Sequence, residues 1–144
     1  MAGLDHSSMS AYLTLHPRLK AIVSELLPMM NVKIVYGIRG KALQDELYKT
    51  GKSKTPFPTS KHNCTHDPSI PENLVFTISD AVDIVPINTL YSDINYLCYM
   101  QGMIKAIAIK QSIKIRQGVL WEHPNIQHNI SHGFFDAAHV EILF

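Results

Sequence analysis

AHVEILF, residues 138–144, is the stretch of the sequence that says most about the fold. Its residues alternate between apolar and polar, as in a strand, so Val140 and Ile142 should point into a core, as should Phe144. His139 and Glu141 then lie side by side on the opposite, exposed face. A histidine beside a carboxylate suits a metal site, and it suits equally the solvated face of an edge strand.

Helical and strand patterns alternate along the rest of the chain. We predict helices near 17–30, at 41–51 and after Ser92, and strands at 31–38, 80–86, 113–116 and 138–144. Residues 51–80 are expected to be mostly loop. Few strands are close enough in sequence to form hairpins, and strict alternation of strands and helices fails after residue 84. These patterns favour an α+β fold, a small, mostly antiparallel sheet with helices packed on one face.

Two of these elements carry expectations about which side chains are buried. In the strand that begins near Asn31, Val32, Ile34 and Tyr36 should share one face. In the helix at 41–51, Leu43 and Leu47 should face the core.

Length, charge and composition exclude several classes of protein. The 144 residues correspond to one domain. A formal net charge of +1 provides no field of one sign for binding nucleic acid or an anionic membrane. The N-terminus lacks the basic region and apolar core of a secretory signal, and no apolar run is long enough to span a bilayer. With only two cysteines, the protein is expected to be made in a reducing compartment.

Two other segments carry residues that could join His139 at a metal ion. Asp83 lies inside the apolar run of AVDIVP (81–86), and an aspartate is rarely buried without a partner. His62 lies in the loop segment SKHN (60–63). His62, Asp83 and His139 would supply three protein ligands and leave a fourth position for water, as in catalytic zinc sites.

A hydrolytic zinc site also needs a group that takes a proton from water and delivers it to the leaving group. Asp136 is the candidate, because a turn, which Gly133 favours, could fold it back towards His139. Glu141 could instead orient a ligand imidazole. The sequence contains no H-E-x-x-H, which excludes a thermolysin-like site on one helix.

A competing metal site lies within the central loop. His62, Cys64 and His66 alternate and could share one face of an extended segment. This array has no visible fourth ligand, whereas structural zinc is almost always four-coordinate. From the residues alone, both arrangements remain open.

A series of short motifs in a fixed order resembles the zinc peptidases of the D-Ala-D-Ala carboxypeptidase and Hedgehog-like superfamily. The similarity is greatest to the small phage endolysins that act as L-alanyl-D-glutamate peptidases. Each motif is short, but their shared order over nearly the whole chain is specific. The matching segments are GIR (37–39), Gln44, LYKTG (47–51), SKHN (60–63), AVDIVP (81–86), RQGVLW (116–121) and DAAHVE (136–141).

The resemblance implies a role for each matching residue. It implies zinc bound by His62, Asp83 and His139, with Asp136 as general base and acid. It makes Arg39 the cation that binds substrate or stabilises the oxyanion.

The resemblance also implies supporting positions around the site. Ser60 would form hydrogen bonds near the metal. Gln44, Trp121 and Glu141 would support the ligands or contact the substrate.

The implied function is that of a zinc metallopeptidase, an endolysin that cuts the stem peptide of bacterial peptidoglycan during host cell lysis. The implied bond is the one between L-Ala and D-Glu. A D,D-carboxypeptidase or dipeptidase on the same fold, and a non-catalytic zinc-bearing binding module, remain alternatives. We expect a monomer with a single catalytic domain over residues 1–144 and no separate cell-wall-binding domain. It would be made in the host cytoplasm and released to the wall by another protein.

The sequence departs from the family pattern between two of the implied ligands. His62 and Asp83 are 21 residues apart, whereas they are closer together in the compact version of the motif. We interpret residues 63–79 as an inserted, solvent-exposed loop. If the insertion lay elsewhere, His66 or Asp67 would be the partner of His62.

The segment before Asp136 is a second departure. RQGVLW lacks the paired glycines that usually precede the tryptophan. His123, His128 and His132 crowd this region, and we expect them to be solvated loop residues that do not line a cleft.

Overall fold

The structure, a computed structural model, describes residues 3–90, 92–121, 124–131 and 136–144. In these ranges it contains five α-helices, four strands and two short 3₁₀ helices, Glu72–Thr77 and Gly118–Leu120. In chain order the main elements are α1 (His6–Leu13), α2 (Pro17–Leu26), β1 (Val32–Tyr36), α3 (Lys41–Lys49), β2 (Ala81–Pro86), α4 (Ile94–Lys110), β3 (Ile115–Gln117), α5 (Ile126–Ser131) and β4 (His139–Ile142). No described helix is both long enough and apolar enough to cross a membrane.

The four strands form one sheet in the order β1-β2-β4-β3, and every neighbouring pair is antiparallel. Val82 of β2 lies opposite Val140 of β4, and Asp83 lies opposite His139. Residues directly opposite one another share a face of the sheet. The valines therefore face the core while Asp83 and His139 face the other way, and the predicted α+β fold is confirmed.

The core lies between the sheet and helices α2 and α4. The two helices pack on each other, α4 also contacts β2 and β3, and α2 contacts β4. Their apolar stripes are fully buried, as the 3.6-residue spacing predicts. The buried stripe residues are Leu19, Ile22, Val23 and Leu26 of α2 and Leu97, Met100, Ile104 and Ile107 of α4.

Helix α1 was not predicted from the sequence, because it is held by polar contacts and not by an apolar stripe. Asp5 caps its start, accepting a hydrogen bond of 2.7 Å from the backbone N–H of Ser8. Ser8 is fully buried, and its hydroxyl accepts a hydrogen bond from the N–H of Ile34 in β1. Hydrophobic periodicity cannot detect a helix attached in this way.

Side-chain placement differs from expectation in α3 and at Phe144. Leu43, expected to face the core from α3, is 39% exposed, while its neighbour Gln44 is fully buried and Leu47 is half-buried. Phe144, expected in the core, is half exposed; its ring packs against His16 at the surface. In α3 the buried position belongs to a polar residue because its amide donates hydrogen bonds to Ser53 and Thr55 of the following loop.

A β-bulge in β1 overturns the expectation for Tyr36. Ile34 pairs with Ile84, but Tyr36 pairs with Asp83, so two residues of β1 advance against one of β2. The bulge moves Tyr36 from the core face, where simple alternation places it, to the face that carries Asp83.

The central loop leaves the sheet and returns to it. Its ends are buried at Thr65 and Ser79, whereas most side chains between them are exposed or half-buried, as predicted. Within it, the 3₁₀ helix Glu72–Thr77 is a short regular segment of this region, which was expected to be mostly loop. The excursion is therefore anchored at both ends, which keeps the flanking segments that carry His62 and Asp83 close together.

Candidate metal centre

His62, Asp83 and His139 meet on the polar face of the sheet. One ligand atom from each lies within 4.8 Å of the others, and this is the only such histidine, cysteine or carboxylate cluster among the described residues. Asp83 and His139 are opposite one another on β2 and β4, while His62 comes from the loop before the excursion. All three are buried, so the expectation that His139 and Glu141 lie on an exposed face is wrong.

The His62 ring is held so that one nitrogen faces the other two ligands. Its Nδ1 lies 2.8 Å from the carbonyl oxygen of Gly37, which only accepts, so Nδ1 carries the proton and donates. Nε2 lies 3.3 Å from Asp83 Oδ1 and is buried without a hydrogen-bond partner. Burial lowers the pKa of His62, against the attraction of Asp83, and so favours the neutral ring that a metal ligand must have.

The His139 ring lies between two carboxylates. Nδ1 is 3.1 Å from Asp83 Oδ1, and Nε2 is 2.9 Å from Glu141 Oε2. Burial lowers the pKa of His139, but the hydrogen bonds to the two carboxylates outweigh it and raise the pKa to about 9. A metal would replace the proton on Nδ1, while Glu141 would continue to accept from Nε2 and fix the ring.

Asp83 remains ionised at this centre. Burial raises its pKa, but the neighbouring imidazole of His62 and the hydrogen bond from His139 outweigh burial and hold the pKa well below its ordinary value. One oxygen, Oδ1, faces both imidazoles, and the other, Oδ2, accepts a 2.6 Å hydrogen bond from Arg39.

The donor set fits a zinc ion. Zinc–nitrogen and zinc–oxygen bonds of about 2.0–2.1 Å in a tetrahedron place the donor atoms roughly 3.3 Å apart. The distances from Asp83 Oδ1 to His62 Nε2 and His139 Nδ1 are 3.3 and 3.1 Å. A buried imidazole nitrogen without a partner, next to two further ligand atoms at this spacing, is what a preformed metal site requires.

Asp136 lies next to the cluster at the turn that leads into β4. The N–H of His139 donates to its carbonyl oxygen, and the N–H of Ala138 donates to its carboxylate at 3.3 Å. Burial raises the pKa of Asp136, and the negative charge of Asp83 raises it further. The chain thus folds back at Asp136, as the sequence predicted. The raised pKa makes this carboxyl well suited to hold a proton. Gly133 lies outside the described residues.

A cavity of about 330 Å³ opens onto the cluster. Tyr36 and Arg39 form part of its wall, with Asp83 and Asp136. The Arg39 guanidinium lies 4.4 Å from the centre of the Tyr36 ring, where a cation–π contact adds to its ion pair with Asp83. The bulge in β1 therefore places the aromatic side chain of Tyr36 at the site. The sequence pattern had predicted that this side chain would face the core.

Gln44 and Ser60 form hydrogen bonds that hold the loop segment carrying His62. The hydroxyl of Ser60 accepts from the N–H of His62, and Asn63 Oδ1 accepts from the N–H of Ser60. The Asn63 amide donates to the carbonyl of Arg39 and to Gln44 Oε1. Asn63 thus links two segments of the site; the SKHN motif contained it, but its role was not assigned.

Trp121 lies against His139 of the cluster. Its ring centre is 4.9 Å from that of His139, and its indole nitrogen is buried without a partner. Just before it, Gly118 touches Asp136: a Cβ on Gly118 would lie 2.1 Å from the Asp136 carbonyl oxygen. Sequence reasoning missed Gly118, although a glycine between strand β3 and a tryptophan was a signal of close backbone approach.

The alternative ligands lie apart from this cluster. The imidazole of His66 contacts Asp80, and Asp67 Oδ2 lies 2.8 Å from His16 Nε2. Cys64 Sγ faces the carbonyl of Pro58 at 3.9 Å.

His123 and His132 lie outside the described residues. His128, expected in a loop, is an exposed residue of helix α5 and does not belong to the three-residue cluster.

Comparison with known proteins adds two findings. A sequence model of a family described as phage L-alanyl-D-glutamate peptidase matches residues 3–143. The crystal structure of the L-Ala D-Glu endopeptidase ChiX from Serratia marcescens is similar in fold, with a TM-score of 0.68 and 20% sequence identity over 96% of this chain and 88% of that one. No curated protein sequence matches the chain.

Proposed function

Because this chain belongs to the phage L-alanyl-D-glutamate peptidase family, we propose that it hydrolyses the bond between L-Ala and D-Glu with one zinc ion held by His62, Asp83 and His139. Membership in the family makes the chain a peptidase that acts on peptidoglycan. The observation that carries the zinc proposal is the buried, unpartnered Nε2 of His62 beside two further ligand atoms.

The chemistry divides between the metal and the protein. A zinc ion bound by these residues would polarise the scissile carbonyl and acidify water. Asp136 takes the proton from the attacking water on its carboxylate and passes it to the nitrogen of the leaving D-Glu. Its burial and its nearness to Asp83 raise its pKa and so suit it to hold the proton between these two steps.

Other residues orient these groups. The Gly37 carbonyl and Glu141 fix the two imidazoles, because each accepts from the ring nitrogen that faces away from the cluster. Arg39 holds Asp83 through Oδ2, so that Oδ1 points to the imidazoles. The same guanidinium lies in the cavity wall, where it would also bind the substrate or the oxyanion.

Lysis of a bacterial host is the proposed biological role. The protein would be made in the host cytoplasm and act on the wall after release, as a monomer. We place the ligands, Asp136 and the cavity in one catalytic domain, because a single sheet with its helices collects all of them.

The test is hydrolysis of a purified stem peptide, with the products identified by mass spectrometry and zinc measured on the same preparation. We expect free L-Ala and a peptide that begins with D-Glu, with loss of activity in a chelator and recovery on adding zinc. Release of D-Ala instead would indicate a carboxypeptidase and contradict the proposed bond.

Single substitutions test the ligand set. His62→Ala, Asp83→Ala and His139→Ala should each remove about one equivalent of zinc, because each deletes one of three ligands. His66→Ala and Asp67→Ala are the matched controls and should keep it. If Asp83→Ala retained zinc and Asp67→Ala lost it, the ligand would be Asp67 and the metal site would lie in the central loop.

A further inference from the structure

The cavity at the metal centre contains a cation that the proposed chemistry does not use. Arg39 and Lys52 both line it, together with Leu47, Asp83 and Asp136. Arg39 is already paired with Asp83 at 2.6 Å. Lys52 forms no ion pair with any described residue, whereas the exposed Lys41 pairs with Asp45.

The backbone of Lys52 is fixed relative to the site. Gly51 ends the turn after α3 with a φ of 76°, which glycine adopts without strain. The N–H of Ser53 donates to the carbonyl of Leu47, and Gln44 Nε2 donates to the Ser53 hydroxyl at 2.8 Å. Lys52 therefore lies between two residues whose positions α3 determines.

The same buried amide ties this segment to the metal ligands. Gln44 Oε1 accepts from Asn63, the residue after His62. One fully buried side chain thus sets the distance from Lys52 to the ligand loop. The backbone of Lys52 therefore has a fixed place at the cavity wall, from which its side chain is available to a particular group of the substrate.

The substrate carries a negative charge on the glutamate residue, whose nitrogen is the leaving group. A glutamate within a peptide uses one of its two carboxyl groups to continue the chain, so the other is a free carboxylate unless it is amidated. In an Ala–Glu substrate that carboxylate lies within the residue whose nitrogen is released. It enters a cavity whose wall carries the carboxylate of Asp136, and because Arg39 is already paired with Asp83, Lys52 is the lining cation that has no ion-pair partner among the described residues.

We propose that Lys52 binds the free carboxylate of the D-Glu residue and makes the enzyme prefer stems with that carboxylate to stems in which it is an amide. This inference rests on the proposed function. An ammonium group donates to a carboxylate with a charge-assisted hydrogen bond, whereas an amide offers only a neutral oxygen.

The experiment compares two synthetic stem peptides that differ only at this group, one with D-Glu and one with its carboxamide. Wild type should cleave the free acid with a kcat/KM roughly 10-fold higher than that for the carboxamide. This is the difference expected from one charge-assisted hydrogen bond. Lys52→Met should lose this preference, mainly through a higher KM for the free acid, while its rate on the amide changes little. Lys52→Arg should keep most of the preference, and higher salt should reduce it.

Lys54→Met is the matched control, because Lys54 is exposed, two residues away, and outside the cavity lining. It should retain the wild-type preference. Equal cleavage of both peptides by wild type, or an unchanged preference in Lys52→Met, overturns the inference.

Binding separates this inference from the proposed function. Both peptides are titrated calorimetrically into Asp136→Asn protein with and without Lys52→Met. Tighter binding of the free acid that depends on Lys52 supports the inference even if wild type cuts another bond, which would contradict only the proposed function. Equal binding of the two peptides contradicts the inference whichever bond is cut.

Discussion

Asp136 combines burial with a position at the edge of the cavity, and its removal is the most direct test of the proton-transfer role. Asp136→Asn preserves the shape of the side chain but cannot accept a proton, so hydrolysis should fall by about 10²–10⁴-fold. Zinc content should stay at the wild-type level, because Asp136 is not among the three clustered ligands. The thermal midpoint should not fall, since the change removes a repulsion from Asp83. Zinc, midpoint and hydrolysis are measured on one preparation.

Near-normal hydrolysis in Asp136→Asn would contradict the role. Asp67→Asn is the control, since Asp67 contacts His16 away from the cluster. A loss of zinc together with activity would instead make Asp136 a ligand.

Gly118 is predicted to position Asp136 through backbone contact. Its added Cβ would overlap the Asp136 carbonyl oxygen at 2.1 Å and approach the Asp136 Cβ at 2.9 Å. Gly118→Ala should therefore destabilise the fold by about 1–3 kcal/mol. It should lower hydrolysis on the order of 100-fold by displacing the acid, with zinc retained. Denaturant unfolding, zinc content and hydrolysis provide the three readouts.

A matched glycine in α4 provides the control. A Cβ on Gly102 would meet nothing within 4 Å, so Gly102→Ala should raise the free energy of unfolding by about 0.5–1 kcal/mol. Full activity in Gly118→Ala would show that the Asp136 turn does not depend on this contact.

The residue types of the cluster were predictable from the sequence, but some of its contacts were not. Asp83 stood out because a carboxylate inside an apolar strand needs a partner, and the partners are now His62, His139 and Arg39. Tyr36 could not be assigned to the site, since its face depends on a bulge that shifts the register of β1 against β2. No periodicity in a single strand reveals such a shift.

Helix α1 supports the Gly37–Arg39 segment, although it carries no residue of the cluster. Thr14, just after the helix, donates through Oγ1 to the carbonyl of Ala11 and accepts from the N–H of Ile38 at 2.9 Å. Thr14→Val leaves that N–H without its partner, which should cost about 1–3 kcal/mol of stability. We also expect weaker zinc binding, because Gly37 next to it orients His62.

Two further variants separate the hydroxyl from the helix itself. Thr14→Ser keeps the hydroxyl and should restore both stability and zinc affinity. Ser10→Ala removes only an exposed hydrogen bond within α1 and should change little. Equal behaviour of Thr14→Val and Ser10→Ala, in denaturant unfolding and zinc titration, would contradict the supporting role of α1.

Among the elements, those with apolar stripes were predictable and those held by polar contacts were not. The stripes of α2 and α4 and the alternation of β4 gave correct elements because each buries one apolar face. In α3 the apolar pattern predicted that Leu43 would be buried, whereas the buried residue is Gln44. The Gln44 amide forms hydrogen bonds with Ser53, Thr55 and Asn63. Polar burial of this kind depends on partners distant in sequence, so a local pattern cannot predict it.

At the scale of the whole molecule, the candidate metal centre joins parts of the chain that are far apart in sequence. His62 precedes the exposed excursion, Asp83 follows it, and His139 lies in the last strand. An ion that binds only the folded chain stabilises it by about 4 kcal/mol when its free concentration is 1,000 times the dissociation constant. For a chain of this length, that corresponds to a shift in thermal midpoint on the order of 10 °C.

Removal of zinc with a chelator should therefore lower the thermal midpoint by that amount, and added zinc should restore it. Asp83→Ala should melt at the same temperature with and without zinc, because its ligand set is incomplete. His66→Ala should respond like wild type, since His66 contacts Asp80 outside the cluster. Differential scanning calorimetry at several zinc concentrations measures the shift. A wild-type midpoint that does not depend on zinc would mean that the three ligands do not bind the ion in the folded protein.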